Sequence, residues 1–547
     1  MRIAGPSLQH ALAAMVVHAC LPAVAAEPAP VDPIPRTVAV PVRDQRFDIF
    51  EIAVDGNTQL NDIDIQLALE PFVGEGRKAA DVDAARSALE QLYKQRGYKS
   101  VAVTIPKQTI KDGLVLLEVV EGKVGSLEVI GSRYSSIDQI KLEVPSLAEG
   151  QVPDFAKVEQ ELNYVNRLGY RRVTPVLALA ATPGVIDVDL NVDDQLPLRL
   201  SAEVNNRHGR DTSFMRTVLT AGYDNLFQLG HSITLSVQLA PRRIDDGRVY
   251  YGAYRIPLGD GSWNLSATAL RTGSNVTALS GVDVNGSGRS FGLSLGKQWP
   301  ALGGIYYPGI SIGVDYKNFN TVASIGPGAE IRTPVEYLPV TLSLTQLLRL
   351  EQQSLQNDFR LSVASPKLGS DADTIDLNRF KARGQMLQLR NSIRYERRLP
   401  GALELGLRFS TQITDQPLIS SEQFAGGGMD NVRGYLEAEV LGDYGYFASA
   451  ELRAPSLSDY VPSSLLRRLV TEFQPYAYFD SADLKLRGPF LDNSSPRAKY
   501  LSSFGLGLSF KLIDHLSGTL DWAMPLHRGA VTGDGDSRLL FRISASL

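Results

Sequence analysis

The sequence of 547 residues contains a single cysteine, Cys20, and no apolar run of 18 or more residues after the N-terminal segment that holds it. We expect that segment to be removed, so the mature chain is predicted to have no disulfide bond and no thiolate metal ligand. The missing apolar run excludes a helical membrane span. Hydrophobic residues nevertheless make up 44% of the chain, so much apolar surface has to be placed in another way.

Sequence signals for catalysis and nucleic-acid binding are also scarce. The net charge is −5 without a basic run, which argues against a nucleic-acid partner. The histidines are scattered without metal-ligand spacing, and no phosphate-binding loop is present. Gly288 to Gly292 matches a nucleophile-elbow pattern around Ser290, but a strand follows where that motif needs a helix. We therefore predict no enzyme activity, no cofactor and no metal, with an outer-membrane hydrolase acting through Ser290 as a minor alternative.

The N-terminus is typical of an exported protein. Residues 1–26 combine Arg2, a small and apolar stretch, and an alanine-rich cleavage pattern, which together predict a secretory signal peptide. Residues 27–46 follow with five prolines and no amphipathic period. This composition predicts an extended linker and not a domain.

Two similar segments come next, at 47–122 and 123–195, and each shows the order strand, helix, helix, strand, strand. Asp81 and Asp154 are the predicted N-caps of the two longer helices, and Gly97 and Gly169 are their predicted C′ residues. Each segment is long enough to cover one face of a three-stranded sheet with two helices. Both segments resemble POTRA domains, so we expect two of them.

From residue 196 to residue 547 the helical period disappears and strand-like alternation takes over. The pattern predicts a transmembrane barrel of sixteen antiparallel strands, an even number as in bacterial barrels. The sixteen predicted strands lie near 198–207, 215–223, 232–239, 250–256, 262–271, 289–299, 309–318, 335–350, 355–365, 386–399, 402–413, 444–454, 470–483, 502–513, 516–526 and 537–547.

The predicted connections differ in length according to the end of the barrel on which they lie. Long ones follow odd-numbered strands, for example 319–334 and 414–443, whereas short ones such as 400–401 follow even-numbered strands. Residues 455–469 are the exception, a long connection on the short side. Variable loops on a soluble β-sandwich or propeller are the alternative, but the sorting by side favours a barrel entered from the periplasm.

The most distinctive motif lies in the long connection 414–443. Gly427 and Gly428 are predicted to let the chain turn, and the sequence Val432, Arg433, Gly434, Tyr435 follows them. Together with the signal peptide, the two modules and the sixteen strands, this motif resembles the two-partner secretion (TpsB) transporters of the haemolysin secretion/activation class. That class belongs to the larger superfamily that includes BamA, and the resemblance covers nearly the whole mature chain.

The resemblance implies that connection 414–443 folds back into the barrel and that its arginine meets an aspartate on the thirteenth strand. Transferred to this chain, it implies that Arg433 contacts Asp480, whose strand also carries Tyr478 on the same face. Arginine presents a planar fork that suits a carboxylate, and a pair shielded from water is stronger than an exposed one. A solvated loop arginine is the alternative.

The resemblance also implies a function and a location. We expect an outer-membrane pore that secretes a partner exoprotein, such as an adhesin or haemolysin, without nucleotide hydrolysis. The barrel would contact outer-membrane lipid and depend on the barrel-assembly machinery for insertion, with the modules in the periplasm. An outer-membrane barrel assembly factor and a passive porin are the alternatives.

Capture of an unfolded partner is expected to use a strand edge of the modules, because added strands bind through backbone hydrogen bonds that tolerate many sequences. The candidate strands contain the following residues: Val101, Val103 and Ile105 in the first module, and Val173 and Val176 in the second. The sequence does not decide which strand is the free edge.

Overall fold

The computed structural model describes residues 46–547, with gaps at 167–168, 211, 274–275, 280–281, 286, 327–328, 383, 459–468, 489–497 and 514. The predicted signal peptide (1–26) and almost all of the predicted linker (27–46) lie outside the described residues. Two small modules of helices and strands are followed by a closed β-barrel.

The first module packs two helices against a three-stranded sheet. Its helices are Asp62–Leu69 and Ala79–Gln95, with a 3₁₀ turn at Glu70–Phe72. The sheet consists of Glu51–Asp55, Leu114–Glu121 and Val101–Thr104 in that spatial order, and a smaller pair joins Phe47–Ile49 to Gly74–Arg77. One face of the longer helix buries Val82, Ala85, Leu89 and Tyr93 in the core, as its 3.6-residue period requires.

Helix capping in this module differs from the sequence prediction at one end. The N-cap is Lys78 and not Asp81, because the helix begins at Ala79. Asp81 lies at the third helical position, where its Oδ2 accepts from the backbone N–H of Lys78 at 2.8 Å, which is the half of a capping box that a residue of the first turn supplies. Gly97 follows the helix with φ +99°, the left-handed conformation predicted for it.

The second module repeats the arrangement. Its helices are Ile137–Glu143 and Phe155–Val165, with a 3₁₀ turn at Pro145–Leu147, and its sheet order is Lys123–Ile130, Val185–Asp194, Arg171–Leu179. Asp154 is the N-cap of the longer helix, as predicted, and accepts from the backbone N–H groups of Ala156 and Lys157. Gly169 is not the C′ residue that was predicted, because the helix ends at Val165 with Asn166 as its C-cap, and Gly169 lies too far beyond that cap.

Polar and aromatic contacts join the second module to two successive turns of the barrel. The Gln228 side chain accepts from Ser136 N at 3.0 Å and donates to Tyr134 O at 3.2 Å. In the next turn, a Cβ at Gly261 would collide with the ring of Tyr164, so only glycine allows this close approach. The two contacts fix the module beside the mouth of the barrel.

Asp194 stabilises the turn of the second module that contacts Gln228. Its carboxylate accepts from the backbone N–H groups of Arg133, Tyr134 and Ser135 at 2.8 to 2.9 Å. Burial works to raise the pKa of Asp194, but the backbone hydrogen bonds outweigh it, so the pKa lies below its ordinary value. The carboxylate therefore stays ionised, and keeps this turn bound, in mildly acidic solution.

The barrel consists of sixteen antiparallel strands, which confirms the predicted fold class. In chain order, barrel strands 1 to 16 are Leu198–Asn205, Arg216–Leu226, His231–Leu239, Val249–Leu258, Trp263–Thr272, Ser287–Gln298, Tyr306–Gly326, Ala329–Arg349, Gln353–Gly369, Met386–Arg398, Glu404–Thr414, Tyr444–Arg453, Val470–Lys485, Ala498–Leu512, Leu516–Pro525 and Arg538–Ser546. Strand 16 pairs with strand 1 and closes the cylinder.

The connection predicted at 319–334 is the main error in the barrel. Strands 7 and 8 run on to Gly326 and from Ala329 as a continuous antiparallel ladder, so most of the predicted connection is strand. Residues 366–385, between the ninth and tenth predicted strands, contain a short helix, Ala372–Asn378. The missed ends of strands 7 and 8 pair with each other through backbone hydrogen bonds, a pairing that no local sequence period reveals.

The outer face of the barrel is apolar and the inner face is polar. Outward side chains such as Phe291, Leu293 and Ile312 are 51 to 55% exposed, which fits contact with lipid. Ser290, the residue of the elbow pattern, lies inside strand 6 and faces inward opposite Lys317 of strand 7. None of the described helices is long and apolar enough to cross a membrane.

Candidate functional site

The connection between strands 11 and 12, residues 415–443, lies inside the barrel; we call it the re-entrant loop. It enters through a 3₁₀ turn at Ser420–Glu422 and forms a two-stranded hairpin from Phe424–Gly426 and Val440–Gly442. Most of its residues are buried against the inner wall. The loop therefore crosses the lumen as an ordered element.

Arg433 is held by Asp480 of strand 13. Arg433 Nε donates to Asp480 Oδ2 at 2.8 Å and Nη2 donates to Oδ1 at 3.0 Å, the parallel two-bond geometry of a guanidinium and a carboxylate. The backbone N–H of Arg433 donates to the same carboxylate at 3.1 Å. The Arg433 side chain is 5% exposed and the Asp480 side chain is fully buried, so the pair is shielded from water.

Two further carboxylates face the same guanidinium. Arg433 Nη1 lies 3.0 Å from Glu451 of strand 12 and 3.3 Å from Asp521 of strand 15. Arg453 pairs with Glu451 from its solvent side, and the Tyr476 hydroxyl donates to Asp521 at 2.8 Å. One arginine of the loop thus ties together three strands of the wall and offsets much of their negative charge.

Aromatic rings complete the socket. The Arg433 guanidinium lies 3.3 Å from the centroid of the Tyr478 ring, a stacking contact that adds to the ion pair. The rings of Tyr478 and Tyr476 lie over Gly505 and Gly507 of strand 14, where any Cβ would collide with them. Glycine at these two wall positions makes room for the rings, and the rings in turn support the arginine.

The neighbours of Arg433 in the motif fix the backbone of the loop. Gly434 has φ +106°, and a Cβ there would lie 3.2 Å from Ser503 Cβ of strand 14. The Tyr435 hydroxyl lies within hydrogen-bond distance of two backbone carbonyl oxygens, that of Ser502 at 3.0 Å and that of His527 at 2.6 Å, and can donate to either. Val432 is fully buried in a small apolar cluster. Each residue of the motif therefore has a distinct contact with the wall.

Gly427 and Gly428, the predicted hinge residues, both have positive φ, at +94° and +122°. At Gly427 a Cβ would lie 2.5 Å from the Leu436 carbonyl oxygen, and at Gly428 it would collide with the Glu437 carboxylate. Both positions require glycine for backbone conformation and for space. They form the turn at the tip of the hairpin.

The base of the re-entrant loop has its own charged anchors. Glu422 accepts from Lys317 Nζ at 2.6 Å and from the Tyr337 hydroxyl at 2.7 Å. Asp443, fully buried, accepts from Arg379 Nη2 at 2.8 Å and from Arg487 N at 2.6 Å. The loop is therefore fixed at both ends and in its centre.

The tip of the loop reaches the closure of the barrel. Asp430 pairs with Arg207, which follows strand 1, and lies 2.9 Å from Arg542 of strand 16. Below the tip, on the side of the periplasmic modules, a cavity of about 480 Å³ extends past Met429 and Arg433 towards the turns of strands 8 to 11. The loop thus reaches across the lumen, with an open cavity on its periplasmic side.

In the first module, the candidate capture strand Val101–Thr104 lies at an edge of its sheet. Val101 and Val103 are 4% exposed and point into the core, whereas Ile105 follows the strand and is 40% exposed. The two valines are core residues by side chain, so any contact with an added strand would use their backbone groups.

In the second module, the candidate capture strand Arg171–Leu179 lies at one edge of the sheet, and Lys123–Ile130 lies at the other. Val173 is buried, and its outward backbone groups are occupied, because Val173 N donates to Asn166 Oδ1 at 2.6 Å and Val173 O accepts from Asn166 Nδ2 at 2.9 Å. Since alternate residues of an antiparallel strand point the same way, Leu177 and Leu179 direct both N–H and C=O outward, and Pro175 directs only its C=O outward. Val176 points its backbone to the neighbouring strand, although its side chain is 46% exposed.

Three residues of the socket around Arg433 were not predicted from the sequence, namely Glu451, Asp521 and Tyr476. The anchors at the base of the loop, Glu422 and Asp443, were not predicted either. A signal existed for Glu451 and Asp521, because each is a charged residue at an inward position of an otherwise uncharged strand core. The base anchors lie in the loop, where no period identifies the face. No group of metal-ligating side chains occurs within the described residues.

Family models match most of the chain. A POTRA domain of ShlB type matches residues 47–122. The model of the haemolysin secretion/activation protein ShlB/FhaC/HecB matches residues 184–301 and 311–510, more than half of the 547 residues.

Related proteins agree with this assignment. The outer membrane transporter CdiB of Dickeya dadantii (strain 3937) is 22% identical over 422 residues, which are 74% of this chain and 72% of the relative. The fold is similar to that of CdiB from Escherichia coli, with a TM-score of 0.63 at 17% identity over 93% of this chain and 92% of the other. It is also similar to that of CdiB from Acinetobacter baumannii, with a TM-score of 0.58 at 17% identity over 92% and 90%.

The barrel, the lumenal loop and the family match lead to one conclusion. This is an outer-membrane transporter with its POTRA region in the periplasm, and the chain belongs to the family of haemolysin secretion/activation proteins ShlB/FhaC/HecB.

Proposed function

We propose that the protein secretes one partner exoprotein, of adhesin or haemolysin type, which it captures unfolded in the periplasm and passes through the barrel. It acts as a pore and not as an enzyme, and it uses no nucleotide. Folding of the partner outside the cell makes its passage directional. The protein itself reaches the membrane through the barrel-assembly machinery.

The observation that carries this proposal is the way in which the re-entrant loop is held. Its central contact is the ion pair of Arg433 and Asp480, supported by hydrogen bonds to wall strands and not by a large apolar core. Because these anchors are polar, release of the loop exchanges them for polar contacts with water or with a passing chain and exposes little apolar surface. The loop is therefore suited to dock in the resting pore and to release during secretion.

Capture is assigned to the edge of the second module, which we propose is a second POTRA domain. The segment from Pro175 to Leu179 has outward backbone groups, and the Leu177 and Leu179 side chains are 46% and 90% exposed. An extended apolar segment of the partner would pair with this edge as an added strand. Because the Asn166 side chain already hydrogen-bonds to the backbone N–H and C=O of Val173, the added strand begins after Val173.

A disulfide between the loop and the wall is expected to stop secretion. The double variant Gly434→Cys, Ser503→Cys would place two Cβ atoms slightly closer than the roughly 3.5–4.5 Å of a disulfide, since an added Cβ at Gly434 lies 3.2 Å from Ser503 Cβ, so a small shift of the loop lets the bond form. Partner protein in the medium is measured with and without reductant in the same cells. Secretion should fall by about tenfold or more when the bond forms and recover on reduction, because each 1.4 kcal/mol that opposes release costs tenfold.

The single cysteine variants are the controls, since Cys20 lies in the predicted signal peptide and leaves no other thiol in the mature chain. Should Gly434→Cys alone abolish secretion, the pair Gly442→Cys, Leu484→Cys provides a second tether; an added Cβ at Gly442 lies 2.9 Å from Leu484 Cβ. Undiminished secretion from a pore whose tether is shown to be fully oxidised would contradict release of the loop.

A further inference from the structure

A lysine lies between two tryptophans on the outer face of the barrel, at the end near the modules. Lys297 of strand 6 is directly opposite Trp263 of strand 5, and Trp299 follows it on the same face. The Lys297 ammonium lies 5.1 Å from the Trp263 ring centroid and 5.3 Å from that of Trp299. We call these three residues the Trp-Lys-Trp cluster.

The cluster faces lipid and not the lumen. Gly296 and Ser294, the neighbours with inward positions, pair with the inward Asn264 and Ser266 of strand 5. Leu293 and Leu295 lie on the same face as Lys297, further from the modules, and are 51% and 37% exposed. An ammonium at the end of such an apolar column lies at headgroup depth, where lysine and tryptophan are favoured.

The hydrogen-bond donors of the cluster have no acceptor within the described part of the chain. No salt bridge there pairs the Lys297 ammonium with a carboxylate, and neither indole N–H donates a hydrogen bond to another described residue. Trp263 and Trp299 are 40% and 37% exposed, so the ammonium is flanked by two partly exposed indoles. A cation beside two indole donors suits a ligand group that only accepts hydrogen bonds and carries negative charge.

We propose that the Trp-Lys-Trp cluster binds the phosphate of a phospholipid from the periplasmic leaflet. The phosphate oxygens accept from the Lys297 ammonium and the indole N–H groups, and the acyl chains lie along Leu293 and Leu295. The indole rings also shield the ammonium from water, which strengthens its attraction to the phosphate. This site is independent of the proposed secretion function.

The site lies beside the joint between the barrel and the second module. Trp263 directly follows the turn in which Gly261 contacts Tyr164 of that module. A lipid held at Trp263 therefore packs at the edge of the joint.

Lipid retention by the purified full-length protein tests the proposal. The detergent-solubilised protein is incubated with dioleoylphosphatidylglycerol, and bound lipid is counted by native mass spectrometry. Wild type should retain at least one phosphatidylglycerol, and Lys297→Gln, which removes the charge and keeps a polar side chain, should weaken retention by about five- to tenfold. Trp263→Phe with Trp299→Phe, which keeps the rings and removes the N–H donors, should have a smaller effect in the same direction.

Arg271→Gln is the matched control, because Arg271 lies on the same face of strand 5 at its other end. It should retain phosphatidylglycerol like wild type. A galactosyl diacylglycerol, which lacks phosphate, should not be retained by any of the proteins. Equal retention by Lys297→Gln and wild type, or displacement of the lipid by millimolar inorganic phosphate alone, would overturn the assignment to a phospholipid.

Discussion

Arg433→Ala is expected to reduce secretion of the partner protein by about tenfold or more while the barrel still inserts. Removal of the guanidinium leaves three carboxylates, Asp480, Glu451 and Asp521, without their common cation. Breaking a buried ion pair from one side costs about 3–5 kcal/mol. The docked state is therefore lost, so the loop has no fixed conformation to return to, and the cycle of docking and release on which the proposed secretion depends is broken.

Secretion and barrel folding have to be measured in the same cells. Secreted partner is quantified in the medium, and folded barrel by its mobility before and after heating. Asp480→Ala should match Arg433→Ala, and Arg433→Lys should be intermediate, since lysine keeps the charge but not the two-bond fork. Arg453→Ala is the matched control, because Arg453 pairs with Glu451 without touching the loop.

This expectation is compatible with the disulfide tether, because the two changes remove opposite states of one equilibrium. Arg433→Ala removes the docked state and the tether removes the released state. Single-channel conductance distinguishes them: it should rise or fluctuate in Arg433→Ala and stay at the wild-type level in the oxidised tether. Normal secretion from Arg433→Ala at a normal barrel level would rule out a role for the docked loop.

Leu177→Pro combined with Leu179→Pro is expected to reduce secretion by a similar factor. Each proline removes an outward N–H group that an added strand needs, whereas the bonds to the neighbouring strand are made by residues of the other parity. Two lost backbone hydrogen bonds, at about 1 kcal/mol each, correspond to more than tenfold in capture. Secreted partner and the amount left in the periplasm are the measurements.

The matched control is Leu177→Ala with Leu179→Ala, which removes the exposed side chains and keeps both N–H groups. If backbone pairing carries the capture, this variant retains most of its secretion. If both double variants are equally impaired, the leucine side chains and not the strand edge make the contact. Full secretion from the double proline variant would place capture elsewhere.

The sequence predicted the barrel well because its signal is local. A period of two residues, repeated in sixteen segments and interrupted by turns, requires only near neighbours to be recognised, and each of the sixteen segments overlaps a strand. The prediction failed at 319–334, where strands 7 and 8 continue as a paired ladder that the local pattern does not reveal. It also misplaced the helix start at Asp81, since Asp is equally suited to the third position of a capping box.

Contacts between distant segments depended on the family resemblance. The pairing of Arg433 with Asp480 was expected from the motif and not from spacing, and nothing local connects Arg433 to Glu451 or Asp521. The hydrogen bonds between the Asn166 side chain and the backbone of Val173 could not be predicted either, because a side chain that pairs with a strand edge leaves no periodic pattern in the sequence. The functional roles of these residues, and of Gly427 and Gly428, stay predictions.

The attachment of the second module to two barrel turns has a geometric consequence for the cargo. Because contacts of Gln228 and Tyr164 fix the module to the barrel, the distance from the Pro175–Leu179 edge to the opening of the lumen is constant. A bound polypeptide would then present residues to the entrance at a constant offset from the segment that pairs with the edge. Partner proteins should consequently have a constant number of residues between the segment that pairs with the edge and the segment that reaches the entrance, even where their side chains differ.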